Sequence, residues 1–170
     1  MEKVKPKEAR TLEATWDEAA GFLLSLCALR EAGGDGLDSV RAVMHVIRNR
    51  VESGDPQFGT GAGAQRWVSV ICRRGQFSAM TVLGDPTTVR WPDESEAAAR
   101  HFMAIFGLAN LIFHGEDTDP TKGALFYWNP RTATNKWYRQ QVEKGRFVET
   151  AKIGGHVFHR LAEKNGGLVR

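Results

Sequence analysis

An apolar stripe at helical spacing is the first strong pattern in the sequence. Its members recur every three or four residues and predict a helix with one buried face; they are Ala19, Phe22, Leu23, Leu26 and Leu29. Thr15, followed by Glu18 three residues later, is typical of a capping box and predicts the start of this helix. The glycines at 33–34 predict its end.

Further elements follow from the same kind of pattern. A second helix is predicted over residues 37–51, with an apolar face formed by Val40, Val43, Met44, Ile47 and Val51. A short helix is predicted over 67–72, and a third long helix is predicted to begin at Pro92, a residue type favoured in the first turn. Residues 123–129 and 153–158 are apolar and bounded by turn residues, which indicates strands or irregular segments. The pattern therefore predicts an α+β fold that is mostly helical.

Length and charge restrict the possible classes of protein. A chain of 170 residues fits one domain, which we assign to residues 15–170, preceded by a polar, flexible arm at residues 1–14. The formal net charge of +3 fits an anionic partner without identifying it. Basic and acidic residues alternate along the chain and no nucleic-acid-binding motif is present, so we expect no nucleic acid partner. We expect a monomer.

Cysteine, histidine and hydropathy patterns argue against several other classes. Cys27 and Cys72 each lie in an apolar run, so we expect both to be buried and reduced. His156 and His159 are three residues apart in a predicted strand and face opposite sides, which makes a poor metal pair. We therefore expect no metal and no cofactor. No apolar run approaches the roughly 20 residues of a membrane span, and the start of the chain has no Sec signal pattern.

Glu31 is the candidate catalytic acid. It lies at the end of an apolar helix, where the partial negative charge of the helix terminus disfavours a second negative charge. Apolar neighbours act in the same direction, and a carboxylic acid kept protonated near neutral pH suits general acid catalysis of glycoside cleavage. From position alone, the alternative of a solvated Glu that ends the helix is the commoner case.

Four separated motifs favour the catalytic interpretation of Glu31. They are Arg-Glu-Ala-Gly-Gly-Asp-Gly at 30–36, Val-Ile-Arg-Asn-Arg-Val at 46–51, Ser-Val-Ile-Cys at 69–72 with Gly-Gln-Phe-Ser at 75–78, and Gly-Ala-Leu-Phe-Tyr-Trp-Asn-Pro at 123–130. In this order they resemble the SleB/CwlJ-type cell wall hydrolase family, which includes the catalytic domains of spore-cortex-lytic enzymes. The chain departs from the family pattern at Gly33 (usually Arg), at Asp35 (usually Glu) and in a Gly-rich insertion at 59–64.

The resemblance implies a lysozyme-like fold, peptidoglycan as the partner, and Glu31 as the single catalytic acid. It also implies contacts with the substrate or with the acid from several other residues, namely Gln76, Phe77, Ser78, Tyr127, Asn129 and Trp137. Alternative interpretations stay open for these residues: Tyr127 fits a core position, Asn129 fits the start of a turn, and the tryptophans Trp91, Trp128 and Trp137 fit packing as well as sugar stacking.

The expected reaction depends on a second carboxylate. A lysozyme-type hydrolase needs one near the acid, and the nearest candidates are Asp35 and Asp38, which also fit a turn former and a helix N-cap. The resemblance favours a lytic transglycosylase, in which Glu31 acts as acid and then as base and forms 1,6-anhydro-MurNAc. A hydrolytic muramidase is the alternative, and a non-catalytic wall-binding module is a weaker one.

The biological setting is an expectation of the same kind. A one-domain wall hydrolase without a Sec leader resembles a phage or prophage endolysin released by a holin, or a virion-borne lysin. Such a protein is made in the cytoplasm and acts in the periplasm or cell wall. A bacterial enzyme whose leader is missing from the sequence is the alternative.

Overall fold

A computed structural model describes residues 6–82, 95–131 and 136–163 of the chain, with side chains from Asp17 onward. The described helices are α1 Pro6–Ala32, α2 Leu37–Glu52, α3 Gly63–Cys72, α4 Ser78–Thr81, α5 Glu96–His114 and α6 Lys136–Glu143. The described strands are β1 Phe126–Trp128, β2 Phe147–Ile153 and β3 His156–Leu161. The predicted mostly helical α+β class is confirmed.

Helix α1 is longer than the sequence pattern predicted. It begins at Pro6, so the predicted start at the Thr15 capping box is wrong. Lys, Glu, Ala, Arg and Leu between these positions have high helix propensity, and proline is well tolerated in a first turn. The helix ends at Ala32, as the glycines predicted, and a 3-10 turn follows at Gly33–Asp35. The flexibility assigned to residues 1–14 stays a prediction.

Helices α1, α2, α3 and α5 enclose the main core. The predicted apolar face of α2 is confirmed, because Val40, Val43, Met44 and Ile47 are fully buried. Helix α5 is described from Glu96, and its N-cap Ser95 accepts a hydrogen bond from Ala98 N at 3.1 Å. The predicted start at Pro92, and Trp91 beside it, lie outside the described residues. Helix α1 packs against α2, α3 and α5.

The three strands form one antiparallel sheet in the order β1–β3–β2. Residues 153–158, predicted as one strand, are the end of β2, a two-residue turn at Gly154 and Gly155, and the start of β3. The apolar pattern did not separate these pieces because it continues on both sides of the turn. Phe158 of β3 packs against Ala42 and Val46 of α2, and this contact joins the sheet to the helices.

A polar cluster joins α2 to the segment before β1. Asp117 accepts hydrogen bonds from Arg41 Nε and Nη2 at 2.7 and 2.8 Å, and its carboxylate lies 2.8 Å from His45 Nε2. The Arg41 bond is the main reason that the pKa of Asp117 falls to about 2. Asn49 donates to Ala124 O at 3.0 Å and so has a structural role in holding this segment. We call Arg41, His45 and Asp117 the anchor cluster, since it holds this segment against α2.

The remaining expectations concern cysteines, metals and membranes. Cys27 is buried as predicted, whereas Cys72 is exposed, so its predicted burial is wrong. Cys72 lies in the last turn of α3 on the side away from the buried Trp67, Val70 and Ile71. Within residues 17–82, 95–131 and 136–163, no His, Cys, Asp and Glu side chains form a group of three or more suited to a metal ion. None of the described helices is both long and apolar enough to cross a membrane.

Candidate active site

Glu31 lies in the last turn of α1, where two other parts of the chain reach its carboxylate. Tyr127 of β1 donates a hydrogen bond from its hydroxyl to Glu31 Oε2 at 2.8 Å. The backbone N–H of Ala79 in α4 donates to Glu31 Oε1 at 3.4 Å. The carboxyl group is partly buried, so the fold orients it while leaving it accessible. Helix α1, helix α4 and strand β1 thus meet at the predicted acid.

Tyr127 acts on Glu31 as a neutral phenol. Burial, reinforced by the charge of Glu31, raises the pKa of Tyr127 well above its ordinary value. The hydroxyl therefore keeps its proton and remains a hydrogen-bond donor at any physiological pH. Burial likewise raises the pKa of the Cys27 thiol, one turn before Glu31, which makes it a poor nucleophile. Glu31 is then the group in this cluster that is suited to proton transfer.

Arg50 lies behind the site, and no local pattern in the sequence indicates its importance. It is 6% exposed, and it donates to Leu125 O at 2.8 Å and to Gln76 Oε1 at 2.9 Å. Its guanidinium carbon lies 5.0 to 5.9 Å from the centres of three rings, those of Phe58, Phe77 and Phe126. Arg50 thereby connects α2, the segment before α4 and the segment at β1, which carry three of the four predicted motifs.

The three residues of the Gln-Phe-Ser element lie in different environments. Gln76 accepts its hydrogen bond from Arg50, so it supports the site through that cation. Phe77 is 1% exposed and packs in the core; a ring buried to this extent cannot stack on a sugar, which corrects its predicted contact with the substrate. Ser78 is exposed and immediately precedes Ala79. Its contact with substrate stays a prediction.

Asn129 and Trp137 differ in their relation to Glu31. Asn129 follows Tyr127 by two residues, and its side-chain oxygen accepts a hydrogen bond from Arg131 N at 3.0 Å. This confirms the turn alternative, and the amide nitrogen of Asn129 points away from Arg131 N. Trp137 lies on α6, is 54% exposed, and its ring contacts among the described residues are with Tyr138 and Phe147. Its role in sugar binding stays a prediction.

The two candidate second carboxylates are placed differently. Asp35 Oδ2 lies 3.3 Å from Nδ1 of the buried His156. The rings of His156 and Tyr127 pack in a T-shaped arrangement with their centroids 5.4 Å apart. Asp38 is exposed in the first turn of α2, whose N-cap is Gly36 and has no side-chain cap, so the predicted N-cap role of Asp38 is wrong. Asp35 therefore borders the Glu31 site.

Comparison with known proteins gives a consistent family. The model of the cell wall hydrolase family matches residues 34–159 of the chain. This match begins three residues after Glu31, so the identification of the acid depends on the geometry described above. Among curated proteins, no sequence is significantly similar to this chain.

Solved structures extend the comparison to the fold. The catalytic domain of the germination-specific lytic transglycosylase SleB from Bacillus anthracis has a TM-score of 0.57 and 26% identity, and the similarity covers 83% of this chain and 93% of that one. The catalytic domain of the Bacillus cereus SleB protein has a TM-score of 0.53 and 26% identity, with 83% and 89% covered. The chain therefore belongs to the cell wall hydrolase family and has the fold of the SleB catalytic domains.

Proposed function

We propose that this protein is a lytic transglycosylase that cleaves peptidoglycan between MurNAc and GlcNAc, with Glu31 as its catalytic acid and base. That the chain is a peptidoglycan-cleaving glycosidase follows from its family and its structural neighbours. The observation that carries the finer proposal is the hydrogen bond of 2.8 Å from Tyr127 to Glu31 Oε2. It orients a partly buried carboxyl group at the junction of α1, α4 and β1.

The reaction begins with proton donation from Glu31. The acid protonates the oxygen that links MurNAc C1 to the next GlcNAc, the C1–O bond breaks, and GlcNAc leaves as an alcohol carrying that proton. Positive charge develops at C1 in an oxocarbenium-like transition state. Glu31 is now a carboxylate, and the neutral donors Tyr127 and Ala79 N stabilise its charge.

The second step restores the acid without water. The Glu31 carboxylate takes the proton from the MurNAc C6 hydroxyl while that oxygen forms a bond to C1. The product carries a 1,6-anhydro ring and Glu31 is protonated again. One carboxyl group therefore serves both steps, which fits a site in which Tyr127 and Ala79 N orient a single carboxyl group.

A hydrolytic muramidase is the second candidate, because Asp35 borders the same site. In that reaction the second carboxylate would act as a nucleophile or would activate a water molecule. The two reactions leave different ends. A transglycosylase leaves 1,6-anhydro-MurNAc, whereas a hydrolase leaves a reducing MurNAc that is heavier by one water.

Mass spectrometry of digested peptidoglycan tests the proposal. Purified wall is digested with the wild-type protein and with Glu31→Gln, and the soluble muropeptides are analysed. We expect anhydro ends from the wild type and release slowed by a factor of about 10² or more in Glu31→Gln. Reducing ends alone would identify a muramidase, and binding to the wall without release would identify a non-catalytic module. Full release by Glu31→Gln would remove Glu31 from the mechanism.

A role as a phage or prophage endolysin is a separate proposal about biological setting. It is tested by expressing the protein in host cells with and without a holin-type membrane protein. Lysis that requires the holin supports the proposal. Lysis that occurs equally without it contradicts release by a holin.

A further inference from the structure

Arg50 is a buried positive charge without a negative partner. Among the residues that the structure describes, no Asp or Glu carboxylate lies within 4.0 Å of its guanidinium. Its hydrogen bonds go to two neutral acceptors, Leu125 O and Gln76 Oε1. Burial of an unpaired charge is unfavourable, and apolar side chains often replace buried charges without loss of stability. The charge itself therefore needs an explanation other than packing.

The two hydrogen bonds of Arg50 reach the chain segments that supply the hydrogen-bond donors of the catalytic acid. Leu125 precedes Tyr127 by two residues, so the bond to Leu125 O holds the chain just before the phenol that donates to the acid. Gln76 precedes Ala79 by three residues, and Ala79 N is the second donor to the acid. One guanidinium thus joins the two segments that orient the carboxyl group.

The charge of Arg50 also acts on the acid directly. The ionisable groups that interact with it electrostatically are Tyr127, Cys27, Glu31 and Tyr138. Burial raises the pKa of both tyrosines and of the thiol, so these three groups stay neutral near pH 7. Glu31 is therefore the one group among the four that can carry a negative charge there. Burial lowers the pKa of Arg50 from its ordinary value of 12.5, but a guanidinium keeps its proton near pH 7.

The proposed reaction requires a negative charge on Glu31. Protonation of the glycosidic oxygen leaves a carboxylate, which persists until the C6 hydroxyl gives up its proton. The C-terminal end of α1 and partial burial both disfavour that charge. A fixed cation nearby lowers the free energy of the carboxylate. The aromatic rings that surround Arg50 limit the screening of its charge by water.

The other ionisable groups near Glu31 are less suited to this role. Arg30 is the neighbour of Glu31 on α1 and donates to the backbone of α4 at 3.5 Å. It is partly exposed, so water and salt screen its charge more than that of Arg50. Asp35 borders the site as an acidic group, and burial lowers the pKa of His156. Neither of these two supplies a positive charge near pH 7.

We propose that Arg50 is a positioning residue of the cleavage reaction, which acts on Glu31 in two ways without touching the substrate. Its hydrogen bonds hold the segments that carry the two donors of the acid. Its charge stabilises the carboxylate that Glu31 becomes after the first proton transfer. This inference rests on the proposed function, since it assigns Arg50 to the reaction in which Glu31 is acid and base.

The dependence of kcat on pH tests the effect of this charge, with soluble, uncrosslinked glycan strands as the substrate. On the alkaline side, kcat falls as the general acid loses its proton. Gln76→Glu keeps an acceptor for Arg50 and places a negative charge beside it, so the cation stabilises the carboxylate of Glu31 less. We expect the alkaline limb to move to higher pH by about one unit. A purely structural role of Arg50 predicts no such shift, because the hydrogen bond is kept.

Arg50→Met removes the cation together with its two hydrogen bonds. We expect the alkaline limb to move in the same direction as in Gln76→Glu. We also expect kcat at its maximum to fall about tenfold, because both donors of Glu31 lose their support. Melting temperatures identify a misfolded Arg50→Met protein, and Gln76→Glu then decides.

Gln140→Glu is the matched control, because Gln140 is exposed on α6 and gains the same charge. We expect its alkaline limb at the pH of the wild type. A Gln76→Glu limb that coincides with that of Gln140→Glu overturns the role of the charge, and so does a limb that moves to lower pH. If the wild type releases nothing from these strands, the proposed function fails instead, so the two failures are distinct.

Discussion

Two carboxylates in this molecule, Asp117 and Glu31, each accept hydrogen bonds from side chains far away in sequence, and the donors that the structure describes for them differ in charge. Asp117 is held by the charged guanidinium of Arg41, and its pKa falls to about 2. Glu31 accepts from the neutral phenol of Tyr127 and from the backbone N–H of Ala79. A carboxyl group with a pKa near 2 cannot carry a proton at neutral pH, so Asp117 serves as an anchor and is excluded as a general acid.

The comparison predicts that neutralising Glu31 lowers activity, whereas neutralising Asp117 lowers stability. Glu31→Gln should lower the rate of glycan cleavage by a factor of about 10² to 10⁴, the usual contribution of a general acid, because an amide N–H is not acidic enough to protonate the glycosidic oxygen. Release of soluble muropeptides measures the rate. The melting temperature should stay close to that of the wild type, and a large fall in it would mean that Glu31 also acts as an anchor.

Asp117→Asn should show the reverse. The amide loses the charge that pairs with Arg41, and we expect the free energy of unfolding to fall by about 2 kcal/mol. Urea denaturation followed by circular dichroism measures this. Cleavage measured well below the melting temperature should equal that of the wild type. A strongly impaired but fully folded Asp117→Asn protein would contradict the division between anchor and acid.

Acid should weaken the anchor cluster in a defined range of pH. The folded-state pKa of Asp117 is below its ordinary value of 3.8, so its stabilising contribution is complete above that value and is lost as the pH falls from 3.8 through about 2. The contribution amounts to at most about 2 kcal/mol. Comparing the acid unfolding of the wild type and Asp117→Asn isolates it, because the difference between the two proteins should shrink over this range. A difference that stays constant down to pH 2 would contradict the ion pair as its source.

Tyr127→Phe sharpens the description of the acid. It removes the hydroxyl that donates to Glu31 Oε2 and keeps the ring that packs against His156 and Phe158. We expect about a tenfold lower kcat, equivalent to the loss of about 1.4 kcal/mol of transition-state stabilisation, and a small change in melting temperature. A kcat equal to that of the wild type would show that Tyr127 does not orient the acid.

Trp137→Ala is expected to have the smallest effect. Its exposed ring packs on Tyr138 and Phe147, and its predicted role in sugar stacking is separate from proton transfer. If Trp137 binds sugar, KM rises several-fold at unchanged kcat. An unchanged KM assigns the ring to packing on α6. Trp137→Phe is the control that keeps an aromatic face.

The parts that sequence predicted well are those with a local cause. The apolar face of α2 and the end of α1 at the glycines follow from periodicity and capping alone. Glu31 and Tyr127 were identified through motifs, although their contact spans 96 residues of sequence. The start of α1 was missed because good helix formers before Thr15 continue the helix without an apolar stripe.

Other features depend on contacts that no local pattern encodes. Burial of Arg50 requires the rings of Phe58, Phe77 and Phe126, which come from three distant segments. The approach of His156 to Asp35 results from the β2–β3 turn packing against the segment between α1 and α2. In each case the side chain looks ordinary in sequence, and the fold supplies its environment.

Cleavage of peptidoglycan in water enriched in oxygen-18 tests the central claim most directly. If Glu31 regains its proton from the C6 hydroxyl, the new MurNAc end takes its bridging oxygen from the sugar itself. We therefore predict anhydro-MurNAc products whose mass shows no oxygen-18. Reducing MurNAc ends that carry oxygen-18 at C1 would contradict the account, because they would show that water attacks the reacting carbon.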